Sequence, residues 1–318
     1  MVETLRKKLQ EYGSSMRCLY CESVGQLVAT DDSMSCQKCA HRYSVEDLRP
    51  ILLNGSSAAA FDEELSQRPG RAMVEEYSSQ GASVDKQDWK RRIIGWLRPP
   101  ELMLHYNPDL SRRQDTWELF THQGSMTRIL NVGGGPTRYS DRELTLNIRP
   151  FHNVDLVGDA HNIPFADDSF DSVICVAVLE HVHSPEKVVA EMIRVLKPGG
   201  KLYAEIPFIF FFHGYPNDFK RYTREGIKYL FRDLGATAVG PTQGPVSASL
   251  QTVAATIGIL TPTKNVLVRK LVNGAFRWLF FWLKYIDLTL KNNDDAHVVA
   301  GGFWVLGSKK TTEAELDD

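Results

Sequence analysis

The sequence predicts an α/β fold organised on a parallel sheet, and three observations predict it. Short β-branched runs recur at residues 129–132, 144–148, 154–157, 172–178 and 201–206. They show little polar alternation, which is the pattern of strands covered on both faces. Gly133, Gly134 and Gly135 follow the first run, where bare backbone must come close to another group.

The 318 residues allow one sizeable core plus a smaller module. A net charge of −2 argues against a general nucleic-acid binder, which would carry a strong basic excess. The first 16 residues are charged and lack the apolar centre of a secretory signal. No uncharged apolar stretch reaches the ~18 residues of a membrane span. Four of the five cysteines form two close pairs, which without an export signal reads as metal rather than disulfide. The expected compartment is the cytoplasm.

Residues 1–54 read as the smaller module. Cys18-x-x-Cys21 and Cys36-x-x-Cys39 are two knuckles fourteen residues apart. Four thiolates suit tetrahedral Zn²⁺ and leave no position for water, so the predicted metal is structural. So short a segment needs such a staple to hold a core. The residues after the second knuckle, with Tyr43-x-Val45 and Pro50-Ile51-Leu52-Leu53, resemble the zinc ribbons of small proteins that partner tRNA and protein methyltransferases. His41 is expected at the surface beside the four cysteines rather than among the ligands.

Asn54-Gly55-Ser56-Ser57 has linker chemistry, and residues 55–125 read as a helical connector or cap. Apolar spacing predicts helices over 88–97 and 111–120, separated by Pro99-Pro100. Trp89, Trp96, Tyr106 and Trp117 are expected to pack, with 106–108 as a substrate-side loop.

Residues 126–310 carry the larger domain. Gly133-Gly134-Gly135 closes the first strand, and the next strand begins near Leu144. That gap is too short for the crossover helix whose N-terminus would hold a dinucleotide pyrophosphate. Gly158-Asp159-Ala160 precedes Ile163-Pro164-Phe165. Glu180-His181-Val182 leads into a helix with Ser184 as cap and Pro185 at its first position, ending at Lys197-Pro198-Gly199-Gly200.

Together these motifs resemble the class I S-adenosylmethionine-dependent methyltransferases, in their small-molecule branch. The resemblance implies a Rossmann-like sheet of seven strands, the last antiparallel. It implies S-adenosylmethionine as cofactor, with Asn131, Gly133, Gly134, Gly135, Asn147, Ile148, Asp159, Ala160 and Val176 around it. Asp159 would accept from the adenine amine and the Ala160 amide would meet a ring nitrogen. Asn131 and Asn147 stand where the family commonly has acids. The links after the first and second strands are too short for helices, so residues 58–123 or a second subunit are predicted to cover that face.

After Pro207 an aromatic run ends in His213-x-x-Pro216-x-Asp218-Phe219-x-Arg221-Tyr222-Thr223, a pattern that recurs in the resembling branch in its substrate-facing loop. His181 and His213 are the candidate bases, since imidazole titrates near neutrality. Asp218 and Arg221 complete the candidate catalytic set, or form a structural ion pair. The sixth strand is expected at 236–240 and the last at 302–307. Between them lies a helical insertion over 246–295. Its stretch 271–290 reads as a lid or dimer helix, or as an interfacial helix that brings the protein to a membrane surface. Residues 311–318 form an acidic tail.

The function expected is methyl transfer to a small-molecule or carrier- or lipid-linked acceptor. Alternatives are a zinc-ribbon RNA base methyltransferase and a catalytically silent methyltransferase fold acting as a binding protein. A homo-oligomer is compatible with the sequence.

Overall fold

The computed structural model describes residues 9–30, 33–46, 49–54, 99–104, 127–135, 138–140, 142–151, 153–213, 217–263 and 265–311. The helices expected at 88–97 and 111–120, the 106–108 loop and all but the first residue of the tail lie outside them.

Four short strands come first: β1 (Leu27–Ala29), β2 (Ser33–Cys36), β3 (Arg42–Glu46) and β4 (Arg49–Leu52). They form an antiparallel meander. The larger domain contributes β5 (Ile129–Val132), β6 (Glu143–Asn147), β7 (Leu156–Gly158), β8 (Phe170–Val176), β9 (Leu196–Pro207), β10 (Gly235–Pro241) and β11 (Gly302–Ser308). Their order is β7-β6-β5-β8-β9-β11-β10. The first five run parallel, and β11 lies antiparallel between β9 and β10.

The larger domain has the seven strands expected, with the last antiparallel, and the sheet grows to eleven because β4 pairs in parallel with β7, Ile51 beside Val157 and Leu52 beside Gly158. One expectation is corrected. The fifth strand of the larger domain starts at Leu196, so Lys197-Pro198-Gly199-Gly200 lies inside β9 instead of ending the helix in a free turn. The pairing to β8 shifts register there, and the Gly199 amide donates to the Lys309 carbonyl. A local bulge thus absorbs the Pro-Gly-Gly chemistry without breaking the strand.

The crossover from β8 to β9 is α1 (Pro185–Val195), whose Pro185, Val188, Val189, Met192 and Val195 are buried. Ser184 occupies its N-cap, but the side chain makes no capping bond; α2 (Arg224–Leu230) is capped by Thr223, whose side chain accepts from the Gly226 amide. Leu130, Val132, Leu144 and Leu146 share a core with α1 and with Tyr12, Met16, Leu27 and Tyr43 of the cysteine module. The module and the crossover helices therefore cover the same face. Tyr12 stacks on Phe170 and meets Phe165 edge-on.

On the other face Ile129, Ile174 and Tyr203 form a second buried cluster. Neither the β5–β6 nor the β6–β7 link contains a helix among the described residues. Of the connector expected over that face only 99–104 is described, and it packs elsewhere: Leu102 lies against Leu250 and Ala254.

Those two residues belong to α3 (Pro245–Leu260), the first helix of the insertion before β11. It is followed by α4 (Val266–Phe280), a 3-10 segment (Phe281–Ile286) and α5 (Asp287–Leu290). Asp287, which interrupts this apolar stretch in sequence, is fully buried. Its carboxylate accepts from the Val246 and Ser247 amides and so caps the first turn of α3.

Candidate active site and four-cysteine centre

The two knuckles fold alike. The Glu22 amide donates to the Cys18 carbonyl and the Ala40 amide to the Cys36 carbonyl, each at 2.9 Å. Glu22 and Ala40 both take left-handed φ, +57° and +58°. The repeated turn brings all four sulfurs within 4.8 Å of one another. Cys18 and Cys39 Sγ lie 3.7 Å apart, as do Cys21 and Cys36. A tetrahedron of Zn–S bonds near 2.3 Å has edges of about 3.8 Å, so the donors fit this ion. The Tyr43 hydroxyl accepts from the Leu19 amide and lies 3.3 Å from Cys18 Sγ. His41 lies outside the four-sulfur set and stacks on Tyr20.

The module also touches the loop after β7. Arg17 donates to the Asn162 side chain at 2.7 Å, and its amide donates to the Pro164 carbonyl. Asn162 and Pro164 lie just beyond Asp159, so the cysteine module braces this loop directly.

The loops carrying the expected cofactor residues meet at the carboxyl ends of β5, β6, β7 and β8, the edge where open α/β sheets bind ligands. Gly133 has φ +74°, and a Cβ there would overlap the Val178 side chain. Only glycine fits that turn. Gly134 abuts Asn131 and Thr145, while Gly135 faces open space. The Asn131 amide donates to Glu143, and the Asn147 amide donates to the Gly134 carbonyl while its oxygen accepts from the Arg149 amide. Both asparagines thus hold the glycine turn and its underside in place. Ile148 packs beside Val157, Ala160 lies partly buried against the main core, and Val176 joins the Ile174 cluster. Asp159 accepts from the His161 amide at 2.9 Å and lies 2.7 Å from His161 Nδ1.

Sequence reasoning missed Glu143. It is fully buried and accepts from Asn131, Thr145 and the Tyr139 and Ser140 amides. Burial raises its pKa despite these donors. Its signal was a carboxylate opening an otherwise apolar strand.

The candidate catalytic residues come together on the adjoining side. His181 follows the end of β8, while His213, Asp218 and Arg221 come from the loop after β9. Glu180, a second residue that sequence reasoning passed over, sits between the imidazoles. Its Oε1 is 3.3 Å from His213 Nε2 and 3.7 Å from His181 Nε2. Glu180 is at 0% exposure, and neither carboxylate oxygen accepts a hydrogen bond. Its signal was the acid of Glu180-His181-Val182. Glu180 is the main cause holding the His213 imidazole above its ordinary pKa. Arg221 grips Asp218 through both guanidinium nitrogens, and Asp218 accepts from the His213 amide. That pairing holds the Asp218 carboxyl down at about 2.

The strand order, with its reversed strand between the fifth and sixth, defines the class: this is the class I methyltransferase fold. Residues 138–204 match the family model described as a methyltransferase domain, and the chain carries such a domain there. Among curated proteins it is similar to the demethylmenaquinone methyltransferase of Renibacterium salmoninarum, 55% identical over 47 residues, which are 15% of this chain and 20% of that protein. It is also similar to the demethylmenaquinone methyltransferase of Desulfitobacterium hafniense, 56% identical over 164 residues, 51% of this chain and 64% of that one. The chain thus spans a fifth of the first relative and just under two thirds of the second. Among solved structures, the [4+2]-cyclase SpnF overlays with a TM-score of 0.44 at 14% identity, covering 82% of this chain and 99% of that one.

Proposed function

We propose that the chain transfers a methyl group from S-adenosylmethionine to a small-molecule acceptor of the lipid-soluble, quinol-like kind. The observation that carries this reading is the bare backbone turn at Gly133, packed on Val178, whose carbonyl accepts from the amide of His181 in the Glu180, His181 and His213 cluster. Gly133–Gly135, Asn147, Asp159 and Ala160 hold the cofactor; His181 and His213 act on the acceptor, with Asp218 and Arg221 fixing His213. The phenolic class comes from the relatives' acceptor, demethylmenaquinone. Zn²⁺ closes the four-cysteine module, whose contacts brace the Asp159 loop.

An apolar acceptor fits a second feature. Leu267, Leu271, Trp278, Leu279, Trp282, Tyr285 and Leu288 are exposed on α4 and the segment after it. They are interleaved with Arg269, Lys270, Lys284 and Lys291, a composition suited to an anionic membrane surface. An open apolar groove of about 490 Å³ is lined by Val246, Leu250, Val253, Phe276, Phe280 and Leu290. No helix among the described residues is long and apolar enough to cross a membrane.

The test is calorimetry with S-adenosylmethionine, followed by transfer of its labelled methyl group to a demethylated quinol. Absence of binding at millimolar cofactor would overturn the reading. It would favour the silent binding protein, a reading to which the internally bonded Asn131 and Asn147 side chains lend support. For the membrane face, flotation with anionic vesicles should carry the chain upward, and Trp278→Asp with Trp282→Asp should leave it in the soluble fraction. A wild-type chain that stays in the soluble fraction sinks the membrane contact.

A further inference from the structure

Glu180 is buried without a partner that accounts for it. A desolvated carboxylate costs several kcal/mol unless a donor or a cation meets it. Here neither oxygen accepts a hydrogen bond, and two imidazole Nε2 atoms face the same oxygen at 3.3 and 3.7 Å. The three ligand atoms lie within 4.8 Å of one another.

The far side of each ring is also held. His181 Nδ1 is 2.6 Å from the Asn217 carbonyl, so that nitrogen carries the proton and Nε2 presents its lone pair. His213 Nδ1 is 3.4 Å from Arg221 Nη2 and 3.5 Å from Asp218 Oδ2, and Arg221 clamps Asp218 in turn. His181 has the orientation typical of metal-binding histidines, with one nitrogen on a carbonyl and the other left for the ion.

We propose that Glu180, His181 and His213 bind a first-row divalent cation at the acceptor side of the site. Neighbouring donors around an ion bound at about 2.1 Å are roughly 3.0–3.4 Å apart, so the Glu180–His213 pair is already placed and His181 closes by a small rotation. Two nitrogens and one carboxylate suit Zn²⁺, Mn²⁺, Fe²⁺ or Co²⁺ better than Mg²⁺ or Ca²⁺. Three protein donors leave positions for water or for an oxygen of the acceptor. That last role rests on the methyl-transfer reading; the ion site itself does not.

The full chain carrying a single zinc per chain, taken by the four thiolates, with excess zinc removed, is titrated with Mn²⁺ and followed by electron paramagnetic resonance. Mn²⁺ prefers oxygen and nitrogen donors, so the thiolates do not compete for it. One Mn²⁺ per chain is expected. Glu180→Gln and His213→Ala should each weaken it by more than tenfold, and Asp218→Asn by about tenfold through lost positioning. If Glu180→Gln does not fold, His181→Asn carries the same expectation. No bound Mn²⁺ at millimolar concentration, or unchanged affinity in a folded variant, overturns the site. Calorimetry with S-adenosylmethionine on the same samples separates the two readings. Cofactor binding without Mn²⁺ sinks only the ion, and Mn²⁺ binding without cofactor sinks only the transferase.

Discussion

Ile51 lies beside Val157 in parallel register, and through that pair the four-cysteine module becomes an edge of the methyltransferase sheet. The same module reaches the Asp159 loop through Arg17. Folding of the module and placement of the Asp159 loop are therefore coupled. Structural zinc contributes on the order of 10 kcal/mol to folding in isolated small domains. Chelation, or Cys36→Ser, is expected to lower the melting temperature of the whole chain and to weaken S-adenosylmethionine binding at least tenfold. A main transition that does not move, in scanning calorimetry with and without chelator, would count against the coupling.

Tyr12 is the packing counterpart of that edge. Its ring lies stacked on Phe170 with Phe165 against it, and Arg128 sits 5.2 Å over it. Truncating a fully buried aromatic leaves a cavity as well as lost burial, so Tyr12→Ala should cost about 3–5 kcal/mol. Tyr12→Phe should cost about 1 kcal/mol, since its hydroxyl makes a long 3.5 Å contact with the Arg142 carbonyl. Urea denaturation of both variants measures the difference, and equal losses would show that the hydroxyl rather than the ring matters.

Gly133 and Gly135 should answer differently to the same substitution. At Gly133 a methyl group meets Val178 and a left-handed backbone, a strain of about 1–2 kcal/mol before any repacking. Nothing lies within 4 Å of a Cβ at Gly135, and its φ is outside the left-handed region. Gly133→Ala is therefore expected to lower both stability and cofactor affinity. In Gly135→Ala stability should hold, so any loss in the cofactor titration reports a ligand approaching that backbone. Equal destabilisation of the two variants would contradict the geometry.

Asp218 sets an acid limit. Its side chain is 2% exposed, and Arg221 holds its pKa at about 2, below the ordinary carboxylate value. A depressed carboxylate stabilises the fold fully above its unfolded pKa, and that contribution drains away as pH falls toward the folded value. The shift corresponds to about 2 kcal/mol. Asp218→Asn should thus be less stable than the wild type by about that amount at pH 7, with the gap narrowing below pH 4. Urea titrations at pH 7, 5, 4 and 3 read it directly, and a gap independent of pH would remove the ion pair from the account.

Much of this was legible in the order of residues. Buried β-branched runs announced the parallel strands, because a strand covered on both faces leaves no room for polar alternation. The paired knuckles announced a thiolate site, since two close pairs of cysteines have few other uses. The short gap after Gly135 excluded a crossover helix by chain length alone. Ser184-Pro185 placed the start of α1 to the residue, although the serine side chain makes no cap.

What the sequence determined by itself was local: which segments are strands, which cysteines converge, and where the glycine turn falls. Each rests on interactions between near neighbours in the chain. Only tertiary structure decided that β4 pairs with β7, that Asp287 caps a helix forty residues earlier, and that Glu180 lies buried between two imidazoles. Each of these brings in at least one residue distant in sequence, and pairing at a sheet edge, helix capping and desolvation depend on what the folded chain places opposite a group.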